Sequence, residues 1–206
     1  MTDSSAASPP SPPSRARVGA QWARADATRQ ALLTAAREVF AERGYEAAGI
    51  AEIVERSGIS VGSLYHHYGG KAGLYLALWE DYTAEQERRA TRAVKRARSE
   101  GVGDPIALFI LGARAFLEVC WEQRHTSRLF SGGEGPAGFG LMRRRRVRQW
   151  IQQNTKLLGE QESSMLALIL TTVMGEAGRE VAVAESDAEA AALIDEVAGI
   201  LGRLAR

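Results

Sequence analysis

The sequence predicts an all-α protein in which a small N-terminal three-helix module is joined to a larger helical domain. Apolar residues recur at three- and four-residue spacing along most of the chain, which lays one stripe along a helix. Strand-like alternation is found nowhere. A third observation is the stretch "SGISVGSLYHHYGGK" at residues 57–71, which puts two short helical segments on either side of a tight turn. At 206 residues the chain has room for one or two domains.

Residues 1–22 are rich in Ser, Pro and Ala, have little to bury, and are expected to be a disordered tail. The module is expected over 23–70, with regular folding from near Asp26. Leu32, Ala35, Ala36, Val39 and Phe40 form the stripe of a first helix, and Gly44 follows Arg43 where a left-handed C-cap belongs. Ile50, Ile53 and Val54 mark a second helix that stops at Gly58, and Ser60 can cap a third running from Val61 to about His67.

The larger domain is expected over 71–206. A long helix opens after Gly70 with Leu74, Tyr75, Leu78, Trp79 and Tyr82 on one side. Asp104 and Pro105 read as the N-cap and first position of a buried helix carrying Phe109, Phe116 and Cys120. "SGGEGPAGFG" at 131–140 reads as a mobile loop, followed by a helix with Val147, Ile151 and Leu158. Ser186 and Glu189 form a capping box before a last helix. The two terminal helices have more apolar surface than one small domain covers, and a two-fold dimer seam including Ile194 and Leu201 is expected.

Composition narrows the classes of function. With 26 Lys and Arg against 25 Asp and Glu the net charge is +1, so any binding to a polyanion must be local. A lone Cys120 forms no internal disulfide and fits a reducing cytoplasm. No apolar run reaches the roughly 20 residues of a membrane span, and a soluble, cytoplasmic protein is expected.

The histidines and glycines of the opening stretch invite other chemistries. His66 and His67 are adjacent, and neighbouring side chains on a helix diverge by about 100°, so they do not share a metal ion. Lys71 is followed by Ala72 and preceded by no strand, so the phosphate-loop pattern fails. No spacing proposes a nucleophile with a base and an orienting group, and neither catalytic residues nor a cofactor are expected. A helix ending at Gly58, a turn through Ile59 and Ser60, and a second short helix form a helix-turn-helix. Ile59 and Leu64 should be buried, with Val61, Gly62, Ser63, His66 and His67 facing outward.

Over residues 28–80 the order of features resembles the DNA-binding region of the tetracycline-repressor (TetR) family: "FAERGY", "IAEIVERSG", the turn, Leu64-Tyr65, His67-Tyr68 and Lys71. The resemblance implies a transcriptional regulator, usually a repressor. It would act as a homodimer on a palindromic operator in double-stranded DNA; release by a small-molecule effector of unknown identity is expected from the aromatic stripe next to the glycine-rich loop. It also implies roles: Val61, Gly62 and Ser63 nearest base edges, with Tyr65, His66, His67 and Lys71 on phosphates. Ala48 and Gly49 depart from the Thr and Thr or Ser usual before the second helix, which removes a cap and a phosphate contact. A reading from another class is a helical enzyme or scaffold in which the helix-turn-helix only packs.

Beyond the module, "RRRR" at 143–146 reads as a solvated helix face. Arg15, Arg17 and Arg24 are candidates for solvation or for a minor-groove arm. Cys120 reads as a small core residue. Phe109, Phe116, Trp121, Met142 and Trp150 are the candidate lining of a pocket for a mostly apolar effector, and the same aromatics describe a packed core equally well.

Overall fold

The computed structural model describes residues 15–159 and 164–205, and every regular element among them is an α-helix. Helices α1 (Arg15–Ala47), α2 (Ile50–Ser57) and α3 (Val61–Tyr68) make the N-terminal module, and α4 (Lys71–Ser99) runs out of it. The larger part comprises α5 (Pro105–Glu122), α6 (Arg124–Ser131), α7 (Phe139–Leu158), α8 (Ser164–Val183) and α9 (Asp187–Leu204).

Helix α1 starts earlier than expected: residues 15–22, assigned to the disordered tail, are helical, and the rest of that tail lies outside the described residues. Ala and Arg dominate the sequence from Arg15 to Arg29. Both are strong helix formers, so a helix held by its buried turns extends outward with little cost per residue. At the other end Gly44 takes φ 73° and ψ 174°, breaking the helix before a final turn through Ala47.

Local hydrogen bonds set the helix boundaries. Asp104 accepts from the backbone N–H groups of Ile106 and Ala107, with Pro105 at the first position. Ser186 accepts from Glu189 N, and the Glu189 carboxylate reaches back to Glu185 N, one residue before the partner a standard capping box uses. Gly58 and Gly69 close α2 and α3 at φ 67° and 71°, a conformation that favours glycine.

Two apolar cores result. The first gathers Leu32, Val39 and Phe40 of α1, Ile53 of α2, Leu64 of α3, and Leu74, Tyr75 and Leu78 of α4. Phe130 of α6 and Phe139 of α7 complete it. Tyr75 stands at its centre, edge-on to Phe40, Phe130 and Phe139 at ring separations of 5.5, 5.1 and 5.1 Å. The second core packs α5, α8 and α9 through Phe116, Leu117, Leu170, Val181, Ile194 and Leu201. Ile194 and Leu201, expected in a seam between subunits, are therefore buried within the monomer. Leu168, Ile169, Val183 and Leu204 are the large apolar residues that α8 and α9 leave exposed in addition to Met165.

The expected mobile loop is anchored instead. Tyr75 Oη donates to the Glu134 carbonyl at 2.8 Å, the Glu134 carboxylate accepts from Tyr45 N at 3.2 Å, and Phe139 is buried. Its first residue, Ser131, still belongs to α6, a helix whose apolar residues are too few to signal it.

Candidate nucleic-acid interface

The helix-turn-helix is built by short-range bonds on a fixed base. Ser57 Oγ donates to the Val54 carbonyl and accepts from Ile59 N, both at 3.2 Å, while Gly58 N donates to Val54 O at 3.0 Å. Ser60 then caps α3 by accepting from Ser63 N at 3.3 Å, and the two hydroxyls lie 3.0 Å apart. Leu64 and Ile53 are fully buried and tie the two helices to α1 and α4. The recognition-helix candidate is thus set by its cap and by one buried leucine, rather than by its outward face.

That outward face has the expected composition. Val61 and Tyr65 are 47% and 52% exposed, large values for such apolar side chains. Gly62 and His66 are exposed, Ser63 and His67 are half-buried, and an added Cβ at Gly62 would meet nothing. The imidazoles of His66 and His67 pack edge to face at 5.0 Å. Helix α3 contains no acidic side chain, so nothing on it repels a polyanion. Tyr68, by contrast, turns inward: its Oη donates to the Arg29 carbonyl at 3.1 Å.

The structure gives Lys71 a different duty from phosphate binding. Its ammonium donates to the carbonyls of Tyr45, Glu46 and Ala48 at 2.8, 3.1 and 3.1 Å. An ammonium has three N–H donors, so this set leaves none for a phosphate. The carbonyls are those left open at the end of α1 and in the turn to α2, where a cation is favoured electrostatically. Lys71 therefore braces the junction against α4. The pattern that suggested a phosphate contact, a lysine at a helix start, carries no information about carbonyls more than twenty residues away.

Two further features of the module escaped the sequence. Arg56 holds α2 to α1 by donating to both carboxylate oxygens of Glu42, at 2.7 and 2.6 Å, and to Glu52. The Arg56 hydrogen bond holds the Glu42 carboxyl below its usual range. Gly73 lets α4 pass directly over the end of α3: a Cβ there would lie 1.6 Å from the Tyr68 carbonyl oxygen. Gly49 caps α2 with no side-chain bond, as its sequence implied.

The five residues singled out as a pocket lining separate into three groups. Phe109, Phe116 and Trp150 line one cavity of about 290 Å3 among α4, α5, α7 and α8, with Phe116 and Trp150 edge to face at 5.4 Å. Trp121 does not line it: its indole N–H donates to Asp187 at 2.7 Å, and the Arg124 guanidinium lies over its ring. Met142 packs against the first core, on the side of the N-terminal module. Because 100° per residue on α5 and α7 turns successive aromatics to different neighbours, only those facing α4 meet. No residue of the 132–138 segment borders this cavity, so the loop is not its entrance.

The arginine run divides in the same way. Arg143 donates to the Phe130 carbonyl and Arg146 pairs with Glu87 at 3.1 Å, whereas Arg144 and Arg145 are exposed. Cys120 is buried, and burial pushes its thiol up, which suits a core residue and not a reactive thiolate. Arg24 is exposed. Among the described residues no helix is long and apolar enough to cross a membrane.

A rigid helix-turn-helix that presents an acid-free, exposed second helix defines the class of helix-turn-helix regulators. Residues 32–78 match the family described as bacterial regulatory proteins, tetR family. Similar over this region are the transcriptional activator FasR of Mycolicibacterium smegmatis, 53% identical over 53 residues, and the transcriptional repressor AcnR of Corynebacterium glutamicum, 47% identical over 51. These matches cover 26% and 25% of this chain but only 24% and 27% of the relatives, so they speak for the module alone. A crystal structure of a TetR-family transcriptional regulator from Pectobacterium atrosepticum extends the likeness to 89% of this chain and 95% of that one, at 27% identity and a TM-score of 0.59. These matches place residues 32–78 in the tetR family of bacterial regulatory proteins, and the chain as a whole shares the fold of a TetR-family transcriptional regulator.

Proposed function

We propose that this regulator binds a palindromic DNA operator as a homodimer and is released by a small, mostly apolar effector held in the chamber beside Trp150. The observation that carries the DNA part is the exposed, acid-free face of α3, where Val61, Gly62 and Ser63 stand at the helix start and Tyr65, His66 and His67 beside them. Small residues at a helix N-terminus let its backbone approach a groove, so Val61, Gly62 and Ser63 read bases. The phenol and the imidazoles are hydrogen-bonding groups suited to phosphate oxygens, so Tyr65, His66 and His67 position the helix.

Repression is the sign we assign, since a dimer seated on an operator excludes other proteins from it. The module does not set this sign, because FasR is named an activator and AcnR a repressor at similar identity. Dimerisation is supported by the exposed apolar residues of α8 and α9, and release by α4, which borders both the chamber and the module. An effector releases DNA only if it binds the DNA-free conformation more tightly, and DNA then weakens effector binding by the same factor.

The test uses duplexes that the purified protein selects from a random pool, titrated beside scrambled ones at several salt concentrations. Ser63→Ala should relax preference at one position per half-site and leave the salt dependence nearly unchanged. Tyr65→Phe should weaken selected and scrambled duplexes alike. A Ser63 variant equally impaired on both duplexes would place base reading elsewhere.

A further inference from the structure

We infer that the molecule held in the chamber is an apolar body that presents one hydrogen-bond donor, a hydroxyl or an N–H, to the side-chain oxygen of Gln86. This rests on the reading of the chamber as the effector site.

Gln86 lies on α4 and is 2% exposed. Its Nε2 donates to Cys120 Sγ at 3.3 Å, and Tyr82 Oη donates to the same sulfur at 3.5 Å. The sulfur thus orients the amide and engages its nitrogen. Its Oε1 is buried and has no hydrogen-bond partner among the described residues. Buried polar atoms without partners are rare because each has lost its water and gained nothing in return. Leucine or methionine would fill the same space without that loss, so the carbonyl is explained by a partner that arrives from outside.

The position of Gln86 indicates where that partner comes from. It borders the chamber of about 290 Å3 and also a smaller one of about 150 Å3 that reaches Ser127 and Arg146. Several other polar groups of the larger chamber are already engaged, while Thr91, Lys95 and Arg98 border it as exposed residues. Asn154 donates to Thr171 at 2.9 Å, Gln153 donates to Glu87 at 2.9 Å, and Glu87 also pairs with Arg146. Among the buried and half-buried lining, what remains for a ligand is the apolar wall of Phe109, Phe116 and Trp150 and one unpaired acceptor. A body that fits this wall without a donor would leave the acceptor orphaned, and discrimination against such bodies follows.

The test compares β-naphthol with its methyl ether, which share a bicyclic body and differ in the donor. Both are titrated calorimetrically onto the full chain, and onto Gln86→Leu and Ala90→Trp, with Gln86→Met as a second variant of closer shape. The wild type should bind the naphthol about tenfold more tightly than the ether. Gln86→Leu or Gln86→Met should abolish that preference, and without ligand should melt at a higher temperature than the wild type. Ala90→Trp, at the half-buried rim of the same chamber, should block both compounds. Equal binding of both by the wild type, lost in Ala90→Trp, would overturn the donor inference and leave the chamber reading intact. A preference that persists in a folded Gln86 variant would also overturn it. Binding undiminished in Ala90→Trp, or no binding of either compound, would overturn the chamber reading and this inference with it.

Discussion

Replacing Lys71 by methionine tests the reassignment of that residue from phosphate contact to structural brace. The substitution keeps the aliphatic stem and removes the ammonium that donates to Tyr45, Glu46 and Ala48. Hydrogen bonds to a charged group are each worth about 1.5–3 kcal/mol. Here the side chain is half-buried and water can reach part of the carbonyl set. The three together should therefore contribute about 2–4 kcal/mol, not their sum. Against a typical stability of about 5–15 kcal/mol this is a large share. Urea unfolding followed by far-UV circular dichroism should show a midpoint lowered by about 1 M or more. Lys71→Arg should not restore it, because a planar fork cannot replace a compact ammonium among three converging carbonyls. The DNA titration separates the two roles: a brace leaves the slope of log affinity against log salt unchanged, while a phosphate contact flattens it by about 1. An unchanged urea midpoint together with a flattened slope would refute the brace and restore the phosphate role.

Gly73→Ala should destabilise the module by about 3 kcal/mol or more, because the clashing atom is the Tyr68 backbone oxygen and no rotamer relieves it; a variant with parental stability in the same urea assay would show that α3 and α4 can separate freely. Leu168→Glu with Ile169→Glu, residues 39% and 43% exposed in the monomer, should give a folded monomer in sedimentation, since charges in an apolar seam are left uncompensated; a dimer that persists would put the interface on another face. Glu42→Gln should lower the melting temperature near neutral pH and have little effect in strong acid. The folded-state pKa of Glu42 lies below the ordinary 4.5, so its pairing with Arg56 stabilises fully above that value and is lost as pH falls through the folded pKa. A gap between wild type and variant that stays constant into acid would assign the loss to something other than this carboxylate.

The residues where reading the sequence succeeded have partners within about four positions. Ser60, Asp104 and Ser186 cap α3, α5 and α9 by bonds to backbone N–H groups two or three residues ahead. Gly58 ends α2 through its own torsions. Such interactions are decided by chain geometry, so the all-helical class, the helix-turn-helix and its outward residues could be written down in advance. Where the reading went astray, the partner was distant. Lys71 reaches Tyr45 across 26 positions, Trp121 reaches Asp187 across 66, and Glu134 reaches Tyr45 across 89. Helix α6 was missed because Leu129 and Phe130 alone make no periodic stripe, and it is held by packing of Phe130 against Tyr75 and Tyr82. Periodicity tells which face of a helix is apolar but not which neighbour that face meets. That choice depends on many small packing terms summed over the crossing helices. It is why the same five residues that looked like one pocket became a chamber wall at Phe109, Phe116 and Trp150, an indole bound to Asp187, and a methionine packed on the other core.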